Sequence, residues 1–430
     1  MRVLVTGAYG FIGAHITAAL VASGHDVVCA VREARIDSRF PGLTAIACDM
    51  SRDTDMSTWL PRLEGIEAVV NCAGILRETD HDTFYAVHEQ SPQALFEACV
   101  QRGIRRVIQI SALGDHDDGE FIASKHRCDD ALAELPLDWL VLRPSLVYSA
   151  QGSYGGTSLL RGLAALPWVI PVPGKGDQPV QPICAEDVGV CVVAALRHSS
   201  CTHQILQVVG PDVLSLREYL LIWRRWLGFS APHVWSVPAH MVRVAAHVGE
   251  RFGKGPLGVT MTRMLDRGNV GSDNALRKLR DELGVVPRKL TRALDASPSH
   301  AQDRWHARLY FLLPVLRIAM ALLWIFSGIV GWLVPASKIA EATPGNTLSL
   351  SLALVLARGT ATADLLLGAL CLIRWRSRLV LSLMLAMLFS YTLSIGTLWP
   401  EHWLDPFGSL IKNVPLIAAL LVLVATDEHR

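Results

Sequence analysis

Apolar positions along the chain follow two regimes. Up to about residue 295, short apolar runs alternate with longer stretches at helical spacing; beyond residue 309 the runs lengthen until polar residues are the exception. In the first regime Val3-Leu4-Val5 reads as a buried strand. A turn with glycines at 7, 10 and 13 follows, then a helical pattern through Ile16, Leu20 and Val21. Four more strands are expected: Asp26–Val31, Leu43–Cys48, a run from Glu67 into the turn at Gly74, and Arg105–Ala112. Strand and helix signals in alternation predict a doubly wound, Rossmann-type α/β domain with a parallel sheet.

The second regime is read by length. Tyr310 to Val334 holds one charge, Leu348 to Ile373 two, Leu379 to Leu398 none, and Ile411 to Ala425 only Lys412. A spanning helix needs about 20 mostly apolar residues. Three segments satisfy this, and the fourth does so if Phe407 to Leu410 joins it. The expectation is an all-α bundle of four antiparallel transmembrane spans over 298–430, following a nucleotide-type domain over 1–297 whose substrate lobe covers about 150–297. Buried helices of a soluble domain are the competing reading. Arg304 and Arg308 precede the first span, and Arg374, Arg376 and Arg378 fill the loop between the second and third. Positive residues mark the inner side, so the expected location is the cell (inner) membrane, with the first domain and the C-terminus cytoplasmic.

Composition narrows the partners. The chain has 430 residues and a net charge of +1, so nothing in its charge points to nucleic acid. Its nine cysteines show no Cys-x-x-Cys pair and sit in apolar surroundings, the pattern of reduced, buried thiols. No metal site is expected.

The glycine turn carries the first chemistry. Its first glycine permits the turn, the second lets backbone approach a pyrophosphate, and the third lets helix press on strand. The helix start offers N–H groups and a positive dipole end to phosphate. Residues just past the second strand select the cofactor: an acid bonds a ribose 2′-OH, an arginine accommodates a 2′-phosphate. Arg32 and Arg35 stand there, which favours NADP(H) over NAD(H), although two arginines also suit a solvated loop. Asp49, after the third strand, is placed to accept from an adenine amino group.

Several segments together resemble the extended and atypical branches of the short-chain dehydrogenase/reductase superfamily. They are the Thr6–Gly13 turn, Asn71-Cys72-Ala73-Gly74, the strand ending at Ser111, Leu142-Arg143-Pro144, and Gln181-Pro182-Ile183 with Glu186-Asp187-Val188. The nearest variety is the group resembling the nucleotide-binding accessory subunit of respiratory complex I. The resemblance implies a cofactor site formed by Thr6, Gly7, Tyr9, Gly10, Phe11, Ile12, Gly13, Arg32, Arg35, Asp49, Met50, Cys72, Ala73, Gly74, Lys125 and Pro144. It implies catalytic roles for Ser111 and Lys125. One departure matters: the family's catalytic Tyr, four residues before the Lys, is Phe121 here, and a phenyl ring cannot move a proton. Three readings stay open. The domain binds nucleotide without turnover, or another donor such as Tyr148, Tyr154 or His116 serves, or hydride passes to an acceptor such as a quinone or flavin that needs no protein acid.

The C-terminal third, from Ala319 to Pro415, resembles the DoxX-like membrane family, some of whose relatives are associated with quinone-linked oxidation. Charges inside spans are functional suspects. Arg317 is expected to pair with Asp364 between neighbouring helices, leaving Arg358 in need of another partner or a polar ligand. The function expected is a membrane-anchored NAD(P)H-binding oxidoreductase acting on a lipid-soluble or quinone-like acceptor. The alternative is a catalytically inactive nucleotide-sensing or assembly module, and a redox-regulated transporter is a third class.

Overall fold

A computed structural model describes residues 1–32, 40–198, 200–252, 258–342, 349–404, 408 and 410–427. It divides into two compact units, Met1–Ala307 and Arg308–Arg430.

The first unit is built on a seven-stranded sheet. Its strands are β1 (Arg2–Thr6), β2 (Asp26–Val31), β3 (Thr44–Ala47), β4 (Ala68–Asn71), β5 (Arg106–Ile110), β6 (Asp138–Pro144) and β7 (Gln204–Val208). All neighbours run parallel, in the order β7-β6-β5-β4-β1-β2-β3. The five expected strands are present, and the sheet adds β6 and β7 beyond them. Strand order reverses between β1 and β4, and in sheets of this kind ligands bind beyond the carboxyl ends at that switch point. Register aligns those ends: Thr6 lies beside Ala30 and Asn71, Asn71 beside Gln109, and Pro144 beside Val208.

The apolar runs of the strands are buried because both faces are covered. One face packs on α1 (Phe11–Ala22), through Ile16 and Leu20, and on a later helix through Val188 and Val192. The other face packs on α2 (Ser91–Arg102) through Leu95, Phe96 and Cys99, and on α3 (Glu120–Ala133) through Cys128 and Leu132. That later helix, α4 (Ala185–Arg197), packs along α1.

A smaller apolar cluster forms the lobe, around Tyr148, Leu160, Tyr219, Leu220 and Trp223. The helix Leu216–Trp226 starts where Ser215 and Glu218 cap each other reciprocally. Its Trp223 is a core residue at 1% exposure. All nine cysteines are free thiols, eight buried and Cys72 half-buried.

The second unit is helical. Among the described residues, three helices are long and apolar enough to cross a membrane: α5 (Ala301–Leu333), α6 (Leu350–Leu372) and α7 (Ser377–Leu398). The last, α8 (Asn413–Thr426), has 14 residues, which at about 1.5 Å each is about 21 Å, short of the about 30 Å of a hydrocarbon core. The expected extension through Phe407 does not form a longer helix from Gly408 onward. Gly408 has φ +62°, a turn conformation, and Phe407 lies outside the described residues. Among the described residues, three long apolar helices and one short one lie where four spans were expected.

The Arg317–Asp364 pair is also not formed. Arg317 bonds Asp427 at 2.6 Å and Ser377, whose hydroxyl donates to the same carboxylate at 2.9 Å. That cluster ties α5 to the start of α7 and the end of α8, and a charged partner at the bundle's end costs less desolvation than one at mid-helix. Arg358 is satisfied differently. It donates to the carbonyls of Gly331, Trp332 and Val334, with distances of 2.7 Å to the first and 2.8 Å to the last. These are acceptors that a helix C-terminus leaves unpaired.

Candidate functional site: a nucleotide cleft at the sheet's switch point

The glycine turn joins β1 to α1. Gly7 has φ +62°, and a Cβ on it would lie 3.0 Å from the Ala73 Cα. A Cβ on Gly13 would lie 2.1 Å from the Gly7 carbonyl oxygen, so helix and strand approach as only glycine allows. Gly10 N–H bonds the Gly7 carbonyl at 2.8 Å and closes the turn. The first-turn N–H groups of α1, from Phe11 to Gly13, have no helical acceptor and open at the sheet's carboxyl edge.

Thr6 holds the neighbouring turn in place. Its hydroxyl donates to the Asn71 side chain and accepts from Cys72 N–H at 3.2 Å and Ala73 N–H at 3.4 Å. Asn71 in turn donates to Gln109 at 2.7 Å. Thr6 is wholly buried, so it shapes the site from beneath and presents no side chain to a ligand. Met50 likewise points inward: its sulfur accepts from Cys48 and Ser91 within the core. Pro144 is buried at the end of β6, its carbonyl accepting from Leu113 N–H.

Lys125 comes from α3 and ends beside Gly74, where a Cβ would lie 3.1 Å from its Nζ. The lysine is 7% exposed. Among the described residues its ammonium hydrogen-bonds only the Ile110 carbonyl, at 3.2 Å. Burial lowers its pKa below the usual lysine value, against the opposing pull of Cys128, Asp129 and Cys72.

Around Phe121 the proton donors are already committed. His88, unmarked by any sequence motif, is 2% exposed, and its ring lies 5.7 Å from that of Phe121. Its Nε2 accepts from Ile75 N–H at 3.0 Å, which leaves the proton on Nδ1 to donate to the Ser124 hydroxyl at 2.8 Å. Burial, with the Lys125 charge second, drives the His88 pKa down to about 2, so the ring is neutral. Ser111 donates to Asp129 at 2.7 Å, and Arg143 holds the same carboxylate oxygen at 2.9 Å. Burial pushes Asp129 up to about 6, while Arg143 and Ser111 pull the other way.

The other suggested donors make no side-chain hydrogen bond to His88, Ser111 or Lys125 among the described residues. Tyr148 is fully buried in the lobe core, its ring 6.0 Å from that of Trp223. Tyr154 and His116 are exposed.

At the far end of the cleft, Arg32 forks onto Asp82 at 3.0 and 3.2 Å and approaches Asp49 at 3.4 Å. Asp49 is tied to Ser51 through its N–H and hydroxyl. Tyr9 is half-buried, its ring 6.3 Å from that of Phe40. Arg35 lies outside the described residues. Asp82, like His88 and Asp129, carries no local sequence signal, and although Arg143 lies in a recognised motif, only the fold shows its pairing with Asp129.

The turn, the close backbone approach at Gly7 and Gly13, and a buried ammonium beside Gly74 fit a dinucleotide. They define an NAD(P)-binding Rossmann domain.

The matches to known proteins agree. Residues 3–208 match the NAD dependent epimerase/dehydratase family, and residues 321–421 match the DoxX-like family. The chain thus joins an NAD-dependent epimerase-type domain to a DoxX-like domain. It is similar to uncharacterized mycobacterial proteins, such as one from Mycobacterium tuberculosis, at 27% identity. That match covers 51% of this chain and 23% of the relative, so the chain spans about a quarter of that relative's length. It is 28% identical to a ceramide reductase of Caulobacter vibrioides, over 45% of this chain and 61% of that protein. It is 24% identical to subunit 9 of the NADH dehydrogenase (ubiquinone) 1 alpha subcomplex of Mus musculus, over 70% and 81%. Among solved structures, a nucleoside-diphosphate-sugar epimerase of Staphylococcus aureus shares the fold, with TM-score 0.54 and 17% identity over 68% of this chain and 99% of that one.

Proposed function

We propose that the chain is a membrane-anchored, NADP(H)-binding oxidoreductase that passes hydride to a lipid-soluble, quinone-like acceptor. The observation that carries this is Lys125, a buried ammonium with one protein acceptor beside the turn at Gly74. Two of its N–H bonds remain to hold a ribose. Gly7, Gly10 and the start of α1 would take the pyrophosphate, and Asp49 and Arg32 the adenosine end. A bound reduced nicotinamide supplies the hydride. Phe121, the neutral His88 and the committed Ser111 give no proton, so an acceptor reduced here takes its proton from water. A quinone accepts a hydride and a solvent proton to become a quinol, which balances without a protein acid.

For Arg32 to reach a 2′-phosphate it must leave Asp82, so the NADP(H) preference rests on an exchange of one anion for another. Oxidation of NADPH against NADH by the purified chain with a short-chain quinone tests the proposal. Lys125→Met should weaken nucleotide binding at least about tenfold, or about 1.4 kcal/mol, and remove turnover. Tight binding with no oxidation across a quinone panel would leave the second reading, a nucleotide-sensing or assembly module, which the spent donors around Phe121 favour. Cytoplasmic placement of the nucleotide domain follows from the arginines at 374, 376 and 378 and belongs to the same proposal.

A further inference from the structure

Trp168 stands 81% exposed at the edge of the lobe, with φ +61°. A bulky residue in that backbone region is strained, and bonds on both sides maintain it. Val169 N–H donates to the Pro167 carbonyl, and His233 N–H to the Trp168 carbonyl, each at 2.7 Å. The second bond opens a parallel ribbon of two strands, Val169–Pro173 and His233–Val237, in which exposed Trp235 lies opposite Pro171. After Pro238 the chain forms the helix Ala239–Phe252. That helix buries Ala246, whereas Met241, Val244 and Val248 are each at least half exposed. Their spacing of three and four puts them on one face. His240, Arg243 and His247 flank that stripe, all exposed, and Glu250 is the one acid in the helix.

The course of the chain identifies what covers this apolar surface. Within the first unit Ala307, near the start of α5, packs with Ala165 and Leu227, and Trp226 Nε1 donates to the Ser297 carbonyl at 2.7 Å. Ala165 comes three residues before Trp168. The apolar run of α5 begins at Tyr310, three residues past Ala307 and so about 4.5 Å further along the helix. On the membrane-anchored reading, on which this inference rests, that edge of the lobe is held at the bilayer surface. Exposed tryptophans favour the membrane–water interface, and a helix with an apolar stripe and a basic flank lies in its plane.

We propose that the lobe docks on the bilayer through Trp168, Trp235 and the stripe Met241, Val244 and Val248. Docking has a use. Arg77, just past the turn at Gly74, donates to the Gly249 carbonyl at 3.0 Å. The far end of the helix is thereby tied to the segment that follows the nucleotide turn, and docking sets the cleft beside lipid, where an acceptor dissolved in the bilayer is taken up.

The test reconstitutes the full chain at one copy per nanodisc of phosphatidylcholine and phosphatidylglycerol. Trp168→Cys, Val244→Cys and Val286→Cys each carry a nitrobenzoxadiazole label, with the labelled parent chain as background for its own thiols. Val286 is the control, an exposed residue next to Val285 in the main sheet's core. The first two labels should sit about 5–10 Å into the headgroup and acyl boundary, so phosphatidylcholine with a doxyl group near its head should dim each at least about twofold. Dissolved iodide should leave them bright, and Val286 should show the reverse. Iodide quenching at Trp168 or Val244 equal to that at Val286 would overturn the docking. So would shielding from iodide without doxyl quenching, the mark of a protein cover such as a second copy of the chain. A chain that fails to elute with the discs is a distinct result, which removes the membrane-anchored reading and this surface with it.

Discussion

Lys125 combines a cost to folding with the strongest claim to a role in binding. Burial lowers its pKa below the usual 10.5, so the folded state gives up the proton more readily than the unfolded chain. The penalty of a buried charge is fully present below the folded pKa and vanishes above the unfolded one. Lys125→Met keeps the stem and drops the charge. It should raise the melting temperature at neutral pH, with an advantage that shrinks as pH rises toward 10.5, while nucleotide affinity falls. Thermal unfolding of both proteins across that pH range checks the sign. Gly13 is the opposite case, a residue whose value is what it lacks. Gly13→Ala places a methyl 2.1 Å from the Gly7 oxygen, and should cost about 3 kcal/mol by overpacking and abolish the nucleotide-induced thermal shift.

Among the elements, the end of α5 depends on one side chain from its neighbour. Arg358 bonds three carbonyls there and lies 5.3 Å from the Trp332 ring centroid. Arg358→Ala would leave those acceptors in an apolar setting, at a cost on the order of 3 kcal/mol. The bundle should melt earlier in detergent, while nucleotide binding by the first unit stays unchanged. Retained bundle stability with altered solute flux in vesicles would instead favour the transporter reading. At the same scale, α5 and α6 are joined through small residues. A Cβ on Gly368 would meet the Ala321 carbonyl oxygen at 2.8 Å, a contact of the kind that replaces the hydrophobic drive in lipid.

For the whole molecule, the decisive quantity is which side of the membrane each part faces. The turn at Arg374–Arg376 is tight, with φ of +57° and +37° at its two arginines, and it carries the positive residues on which the proposed orientation rests. Arg376→Cys in the parent background, where eight of nine native thiols are buried, should react with a membrane-impermeant maleimide in inverted vesicles and not in intact cells. Labelling from outside would contradict the cytoplasmic reading and separate the nucleotide domain from its supply.

The sequence by itself determined whatever depends on neighbours along the chain. A strand–glycine turn–helix is a local object, so Gly7, Gly10 and Gly13 were legible, as were the parallel sheet and the three long apolar helices. The replacement of a tyrosine by Phe121 was legible for the same reason. Pairings between distant segments were not. Arg317 could reach Asp364 by helical arithmetic, yet the bundle turns it to Asp427, because rotation of each helix about its axis is set by packing. His88 reaches the Phe121 ring from a separate element 33 positions earlier in the chain, and Ser111 turned out to be held by Asp129. Hydrogen bonds are satisfied in three dimensions, so the tertiary structure alone decided which polar groups were spent and which remained free to act.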